Sequence, residues 1–164
     1  MSSEWIEKGD MLRMLEGYDA RDLEIALRAA DANRRAREGE LYFLHHLFGE
    51  QFDWEAIEAA GEVEITLPIN LLVMNPGQMV HGGVLALLCD NAMGIASHAR
   101  AMRDGVTVEL TVRYHKPARG SKLRAVGRVI SSGSHVNSTQ CEVYDDAGQL
   151  VTSATGTFYH KKLR

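Results

Sequence analysis

The sequence predicts an α+β chain in which an antiparallel sheet wraps one long apolar helix. Three observations carry this. Apolar spacing is helical through the first sixty residues and alternating thereafter. One segment, from His81 to about Met102, is apolar around almost its whole circumference. Everything after Asp104-Gly105 alternates apolar with polar residues, interrupted by turn signals. A sheet around a single apolar helix buries both economically.

The elements follow in order. Leu23, Ala26, Leu27 and Ala30 recur at helical spacing, and Leu41, Phe43, Leu44, Leu47 and Phe48 form a second stripe. The run Asp53-Trp-Glu-Ala-Ile-Glu-Ala-Ala before Gly61 predicts a short helix ending in glycine. Residues 1–60 are therefore expected to form a helical N-terminal extension, and 61–164 the main domain. Glu62–Pro68 alternates and predicts a strand, followed by a Pro- and Gly-bearing turn at Asn75-Pro76-Gly77-Gln78. The engulfed helix comes next. A four-stranded meander is then predicted: Val106 to Tyr114, Leu123 to Ile130, His135 to Tyr144, and Gln149 to His160. Asp145-Asp-Ala-Gly marks the last hairpin.

Composition narrows the function. With 164 residues, 45% hydrophobic and 24% charged, the chain can bury one core. The N-terminus lacks the pattern of a signal peptide, and no apolar run is long enough to span a bilayer. Cys89 and Cys141 lie inside expected elements without a disulfide framework, so free thiols in the cytoplasm are expected. A formal charge of −4 lacks the basic footprint of a nucleic-acid binder. It leaves room for an anionic small ligand at Lys116, Arg119, Lys122 and Arg124, a cluster that also suits plain solvated surface. Neither Gly-x-Ser-x-Gly nor His-Glu-x-x-His occurs, and His45-His46 point about 100° apart on a helix, so no metal site or cofactor is expected.

Two places carry chemistry. Gly82 and Gly83 leave backbone N–H groups uncovered at a helix N-terminus, where the macrodipole favours an anion or the oxyanion of a thioester carbonyl. The same residues also suit an ordinary turn before a buried helix. Asp90 sits among Leu87, Leu88, Cys89 and Met93, where a carboxylate is costly unless paired or used as a base or nucleophile. Asn91 beside it can offer a hydrogen bond. Asp90 lies nine residues past His81, about 13 Å along the helix and on roughly the opposite face. If both act on one substrate they come from different subunits, so a dimer is implied.

The run Asn75-Pro-Gly-Gln-Met-Val-His81-Gly82-Gly83-Val-Leu-Ala-Leu-Leu-Cys-Asp90-Asn-Ala-Met-Gly resembles the signature of the PaaI-like, phenylacetate-degradation type of hotdog-fold acyl-CoA thioesterases. Gly105 to Gly120 and Asp146 to Phe158 are similar to that family as well, so the resemblance covers about residues 61–160. It implies a hotdog fold, a homodimer or homotetramer with composite sites, and hydrolysis of an acyl-CoA to free acid and CoA. Gly82 N–H would meet the thioester oxygen, with Asn75 positioning or polarising the carbonyl and His81 holding the turn. Asp90 from the partner would activate water or attack, oriented by Thr107. Gly83, Val108, Arg119, Gly120 and His135 would contact substrate, although His135 stands where the family usually has Arg or Lys. Two other functions on the same fold are a non-catalytic acyl-CoA-binding module and a hydratase or dehydratase. The latter needs His and carboxylate together in one site, which the spacing suits poorly.

Overall fold

A computed structural model of the chain describes residues 6–39, 42–52 and 62–161. The chain divides into two units, Met1–Leu47 and Phe48–Arg164. The first contains α1 (Lys8–Leu15), α2 (Ala20–Arg37) and most of α3 (Phe43–Phe48). Asp19 caps α2 by accepting from the N–H groups of Arg21 and Asp22. The helix expected over 53–60 lies outside the described residues.

The second unit holds β1 (Gln51–Phe52), β2 (Glu62–Pro68), α4 (Gly82–Ala101), β3 (Gly105–Tyr114), β4 (Lys122–Ser132), β5 (Val136–Tyr144) and β6 (Leu150–His160). Every strand pair is antiparallel, and the sheet order is β1-β2-β4-β5-β6-β3. This is the helix-in-sheet architecture expected from the sequence, with a correction to the strand order. The last four strands do not form a simple meander. Only β4, β5 and β6 do; β2 occupies the outer edge of β4, so β3 pairs with β6 at the far side of the sheet. β3 is thereby an edge strand, and most of its residues are exposed. β1, unmarked by any alternation, pairs with β2 at Gln51↔Thr66 and Phe52↔Ile65.

Helix α4 also departs from expectation. It is buried on one face, not all round. Leu85, Leu88, Cys89, Ala92, Met93, Ala96 and Ser97 recur at helical spacing and pack into the core with Ile65, Leu67, Leu123, Ala125 and Val143. Leu87, Asp90, Asn91 and Gly94 are only half-buried. The reason is that one sheet covers one side of a helix. The close approach depends on Gly127 of β4, where an added Cβ would lie 2.5 Å from the Ala92 carbonyl oxygen. At its far end α4 is pinned by a buried polar group: Asn137 Nδ2 donates to the Ser97 carbonyl, and Ser97 Oγ shares a 2.8 Å hydrogen bond with His160 Nε2. Cys89 and Cys141 are free and buried, as expected. The adjoining Cys89 thiol and burial push the Cys141 thiol far up, so it stays protonated. No helix among the described residues is long and apolar enough to cross a membrane.

Candidate active site

The N-terminal end of α4 is built from tightly bonded backbone. Val73 C=O accepts from His81 N–H (2.8 Å), and Ala118 C=O accepts from Val80 N–H (2.9 Å). These bonds lash the His81 turn to the segment before it and to the β3–β4 connection. His81 is the N-cap, and its Nδ1 accepts from Gly83 N–H at 2.9 Å, which leaves the ring proton on Nε2 in the neutral form. The His81 carbonyl accepts from both Val84 N–H (2.9 Å) and Leu85 N–H (3.1 Å). In a trans peptide the N–H points opposite to the C=O. The Gly82 N–H is therefore aimed out of the helix, and it donates to nothing among the described residues.

The two glycines differ in what they permit. A Cβ on Gly83 would come within 3.1 Å of His81 Nδ1, a tight contact. A Cβ on Gly82 would meet the Tyr114 ring at 3.5 Å, an ordinary contact. A side chain at Gly83 would thus crowd the capping imidazole, whereas one at Gly82 would meet only the Tyr114 ring at ordinary distance. Asn75 stands in the preceding turn. Its Oδ1 accepts from Gly77 N–H at 2.8 Å, which leaves Nδ2 without an acceptor among the described residues.

Asp90 lies two turns further along α4, about 12 Å from Gly82 at 1.5 Å per residue. It is half-buried, and Thr107 Oγ1 of β3 donates to its Oδ1 at 2.9 Å. Next to Thr107 the β3–β6 register slips, a bulge that leaves Val108 unpaired and 61% exposed. Bulges recur beside active sites because they re-aim side chains. Asn91 does not support Asp90; its Nδ2 donates to the carboxylate of Glu50 at 3.0 Å.

The remaining residues sort between these two places. Arg119 follows Ala118 in the connection that is bonded to Val80, so it belongs to the Gly82 end; it is exposed and meets no partner among the described residues. Its neighbours in the basic cluster are partly engaged. Arg124 pairs with Glu64 and lies over the Tyr144 ring, and Lys116 donates to Gln149. Gly120 has a structural job: its φ is +113°, and a Cβ there would collide with the Asp146 carboxylate at 2.3 Å. That carboxylate accepts from Ser121 N–H and Oγ–H, both at 2.7 Å, which lowers its pKa. His135 sits at the other end of the sheet, where its ring lies 6.2 Å from that of Tyr159 and its carbonyl accepts from His160 N–H. Within one chain, Arg119 and His135 do not share a site.

Known proteins share this fold and part of this sequence. The thioesterase superfamily model matches residues 77–152, which takes in Asn75's turn from Gly77 onward, the Gly82 end, Asp90 and Thr107. The structure of the BH2602 protein from Bacillus halodurans, solved with CoA, aligns with a TM-score of 0.75 and 30% identity, covering 92% of this chain and 97% of that one. The chain belongs to the thioesterase superfamily. The medium/long-chain acyl-CoA thioesterase YigI of Salmonella typhimurium is 26% identical over 139 residues, covering 73% of this chain and 89% of that protein. The PaaI protein of the Escherichia coli phenylacetic acid degradation operon has a TM-score of 0.67 at 19% identity, covering 82% of this chain and 96% of that one, which shows a common fold.

Within one chain of this superfamily member, the candidate residues fall into two groups. Asn75, His81, Gly82, Gly83, Arg119 and Gly120 gather at one end of α4, and Asp90, Thr107 and Val108 gather along its middle. His135 joins neither group: its ring lies against Tyr159, which alternates with the core-facing Phe158 and His160. A residue that periodicity did not single out joins the first group. Tyr114, the last residue of β3, donates from Oη to the Gly82 carbonyl at 2.9 Å. In the sequence it reads only as the final apolar member of an alternating run.

Proposed function

We propose that the protein is a PaaI-like acyl-CoA thioesterase that hydrolyses its substrate at composite sites of a homodimer or homotetramer. The observation that carries this is the outward, unpaired Gly82 N–H at the positive end of α4, in a chain whose carboxylate Asp90 is held separately by Thr107. The thioester oxygen accepts from Gly82 N–H and from Asn75 Nδ2–H. Asp90 takes a proton from water, whose oxygen adds to the carbonyl carbon. The tetrahedral intermediate then expels the CoA thiolate, which is protonated to the free thiol, and the acid is released. Thr107 engages only Oδ1 of Asp90, which leaves the second carboxylate oxygen to take the proton from water.

Strand polarity supports the dimeric reading. β3 carries Thr107, the partner of Asp90, near its start and Tyr114, the partner of Gly82, at its end. Its outer edge is unpaired among the described residues, and an open edge of this length is a template for another strand. Two copies joined antiparallel along β3, about a two-fold axis near its middle, set the Asp90 end of each beside the Gly82 end of the other. Arg119, exposed beside the Gly82 end, is suited to a CoA phosphate. The buried free thiols support the cytoplasmic placement.

The test is a panel of aromatic, short-chain and long-chain acyl-CoAs, read by release of free thiol. Thiol release with at least one of them supports the reading. Tight CoA binding without thiol release from any member identifies an acyl-CoA-binding module instead.

A further inference from the structure

Resting on the thioesterase reading above, we infer that Tyr114 is a positioning residue for the oxyanion donor: its hydroxyl clamps the Gly82–Gly83 peptide and so fixes the direction of the Gly82 N–H. The clamp has two jaws. Tyr114 Oη donates to the Gly82 carbonyl at 2.9 Å, and His81 Nδ1 accepts from Gly83 N–H at 2.9 Å. These are the C=O and the N–H of one peptide unit, held from opposite sides. The neighbouring peptide, which carries the Gly82 N–H, is anchored through the His81 carbonyl. The two planes meet at the Gly82 Cα, and glycine is the residue least able to hold an angle by itself.

The bond is not required to satisfy a buried group. Tyr114 is 54% exposed, so water could serve its hydroxyl equally well. A carbonyl in the first turn of a helix already has an acceptor's partner further along the helix. The ring adds a second constraint, since it lies within van der Waals distance of the space above Gly82. Tyr114 also ties the turn to β3, the strand whose other end holds Asp90 through Thr107. One strand therefore supplies a fixing hydroxyl to each half of the chemistry.

Tyr114→Phe keeps the ring and removes the hydroxyl. With an acyl-CoA that the wild-type protein hydrolyses, kcat is expected to fall about fivefold to tenfold, the scale of one hydrogen bond, with KM unchanged. Tyr114→Leu, which also loses the ring, separates the hydroxyl from the packing: a kcat similar to that of Tyr114→Phe assigns the effect to the hydroxyl. The second readout needs no substrate. In 15N-labelled protein, amide exchange at Gly83 is expected to quicken in Tyr114→Phe while amides in β4 and β5 keep their protection. Wild-type kcat in Tyr114→Phe, or unchanged Gly83 exchange, overturns the inference. If the wild-type protein releases no thiol from any acyl-CoA, the thioesterase reading falls, and Gly83 exchange still decides whether Tyr114 orders the turn.

Discussion

The two halves of the proposed site are built by opposite means. At the Gly82 end the reactive group is a backbone N–H, and its direction is set by a web of hydrogen bonds from Val73, Ala118, His81 and Tyr114. At the Asp90 end the reactive group is a side chain on a half-buried helix face, fixed among the described residues by one bond from Thr107 and flanked by a bulge. An oxyanion donor must be pre-aimed, because reorganising a dipole during the reaction forfeits its benefit. A general base must exchange partners as it takes and returns a proton, so a sparse environment suits it. The contrast yields a rule for mutations: chemistry resides in one side chain at the Asp90 end, and in shared geometry at the Gly82 end.

The largest effect is therefore expected at Asp90. Asp90→Asn keeps the size and the acceptor for Thr107 but cannot take a proton, and turnover is expected to fall about a thousandfold, within the range general-base catalysis supplies. Light scattering and circular dichroism are expected to report the wild-type assembly and fold. Normal hydrolysis by this variant would falsify the mechanism and make the carboxylate structural.

Asn75→Asp is next. It preserves the acceptor for Gly77 N–H, and hence the turn, while removing the Nδ2 donor; turnover is expected to fall about a hundredfold, as for loss of an oxyanion-hole donor. The pair then tests the cross-subunit geometry. Equal amounts of Asp90→Asn and Asn75→Asp subunits, unfolded and refolded together, are expected to recover about a quarter of wild-type activity, because half the dimers are mixed and each mixed dimer has one intact site of two. Mixtures no more active than their components would place both groups in one subunit's site and break the comparison.

The sequence made the Gly82 end readable and left the rest less so. His81, Gly82 and Gly83 announce a capped helix start, and the structure begins α4 at Gly82 with His81 as its cap. Asp90 stood out because a carboxylate among leucines is conspicuous, yet burial turned out to be partial, since hydrophobicity cannot say which side of a helix a sheet covers. Strand partners are also absent from periodicity. Alternation located β3 but not its pairing with β6, and so not the open edge. The Asn91–Glu50 bond joins residues 41 apart, and the Tyr114–Gly82 bond residues 32 apart. Such contacts exist only once the topology is known.

A smaller effect is expected where substrate is held but not transformed. Arg119 is exposed and meets no partner among the described residues, and it reaches the Gly82 end through Ala118. If it meets a CoA phosphate, Arg119→Ala raises KM about tenfold with little change in kcat, and the difference shrinks as salt screens the charge. An unchanged KM returns Arg119 to ordinary solvated surface and leaves the Gly82 end without a phosphate contact.

The smallest effect sharpens the comparison most. Thr107 gives Asp90 its hydrogen bond, and the bond spans from the edge strand to the helix. Thr107→Val retains the branched shape that suits a strand and deletes the hydroxyl. The carboxylate is half-exposed, so water can replace part of what is lost, and the expected fall in kcat is only about threefold to tenfold, the net worth of one hydrogen bond. Thr107→Ser restores the hydroxyl and is expected to return kcat to near the wild-type value. Rescue by serine assigns the effect to the hydroxyl, because serine is a poorer strand former than valine and would do worse if backbone shape mattered. A fall as deep as that of Asp90→Asn, with rescue by serine, would mean that Asp90 works only when held as rigidly as the Gly82 amide. The two ends would then follow one design after all, and the contrast between a fixed dipole and a freely exchanging base would have to be given up.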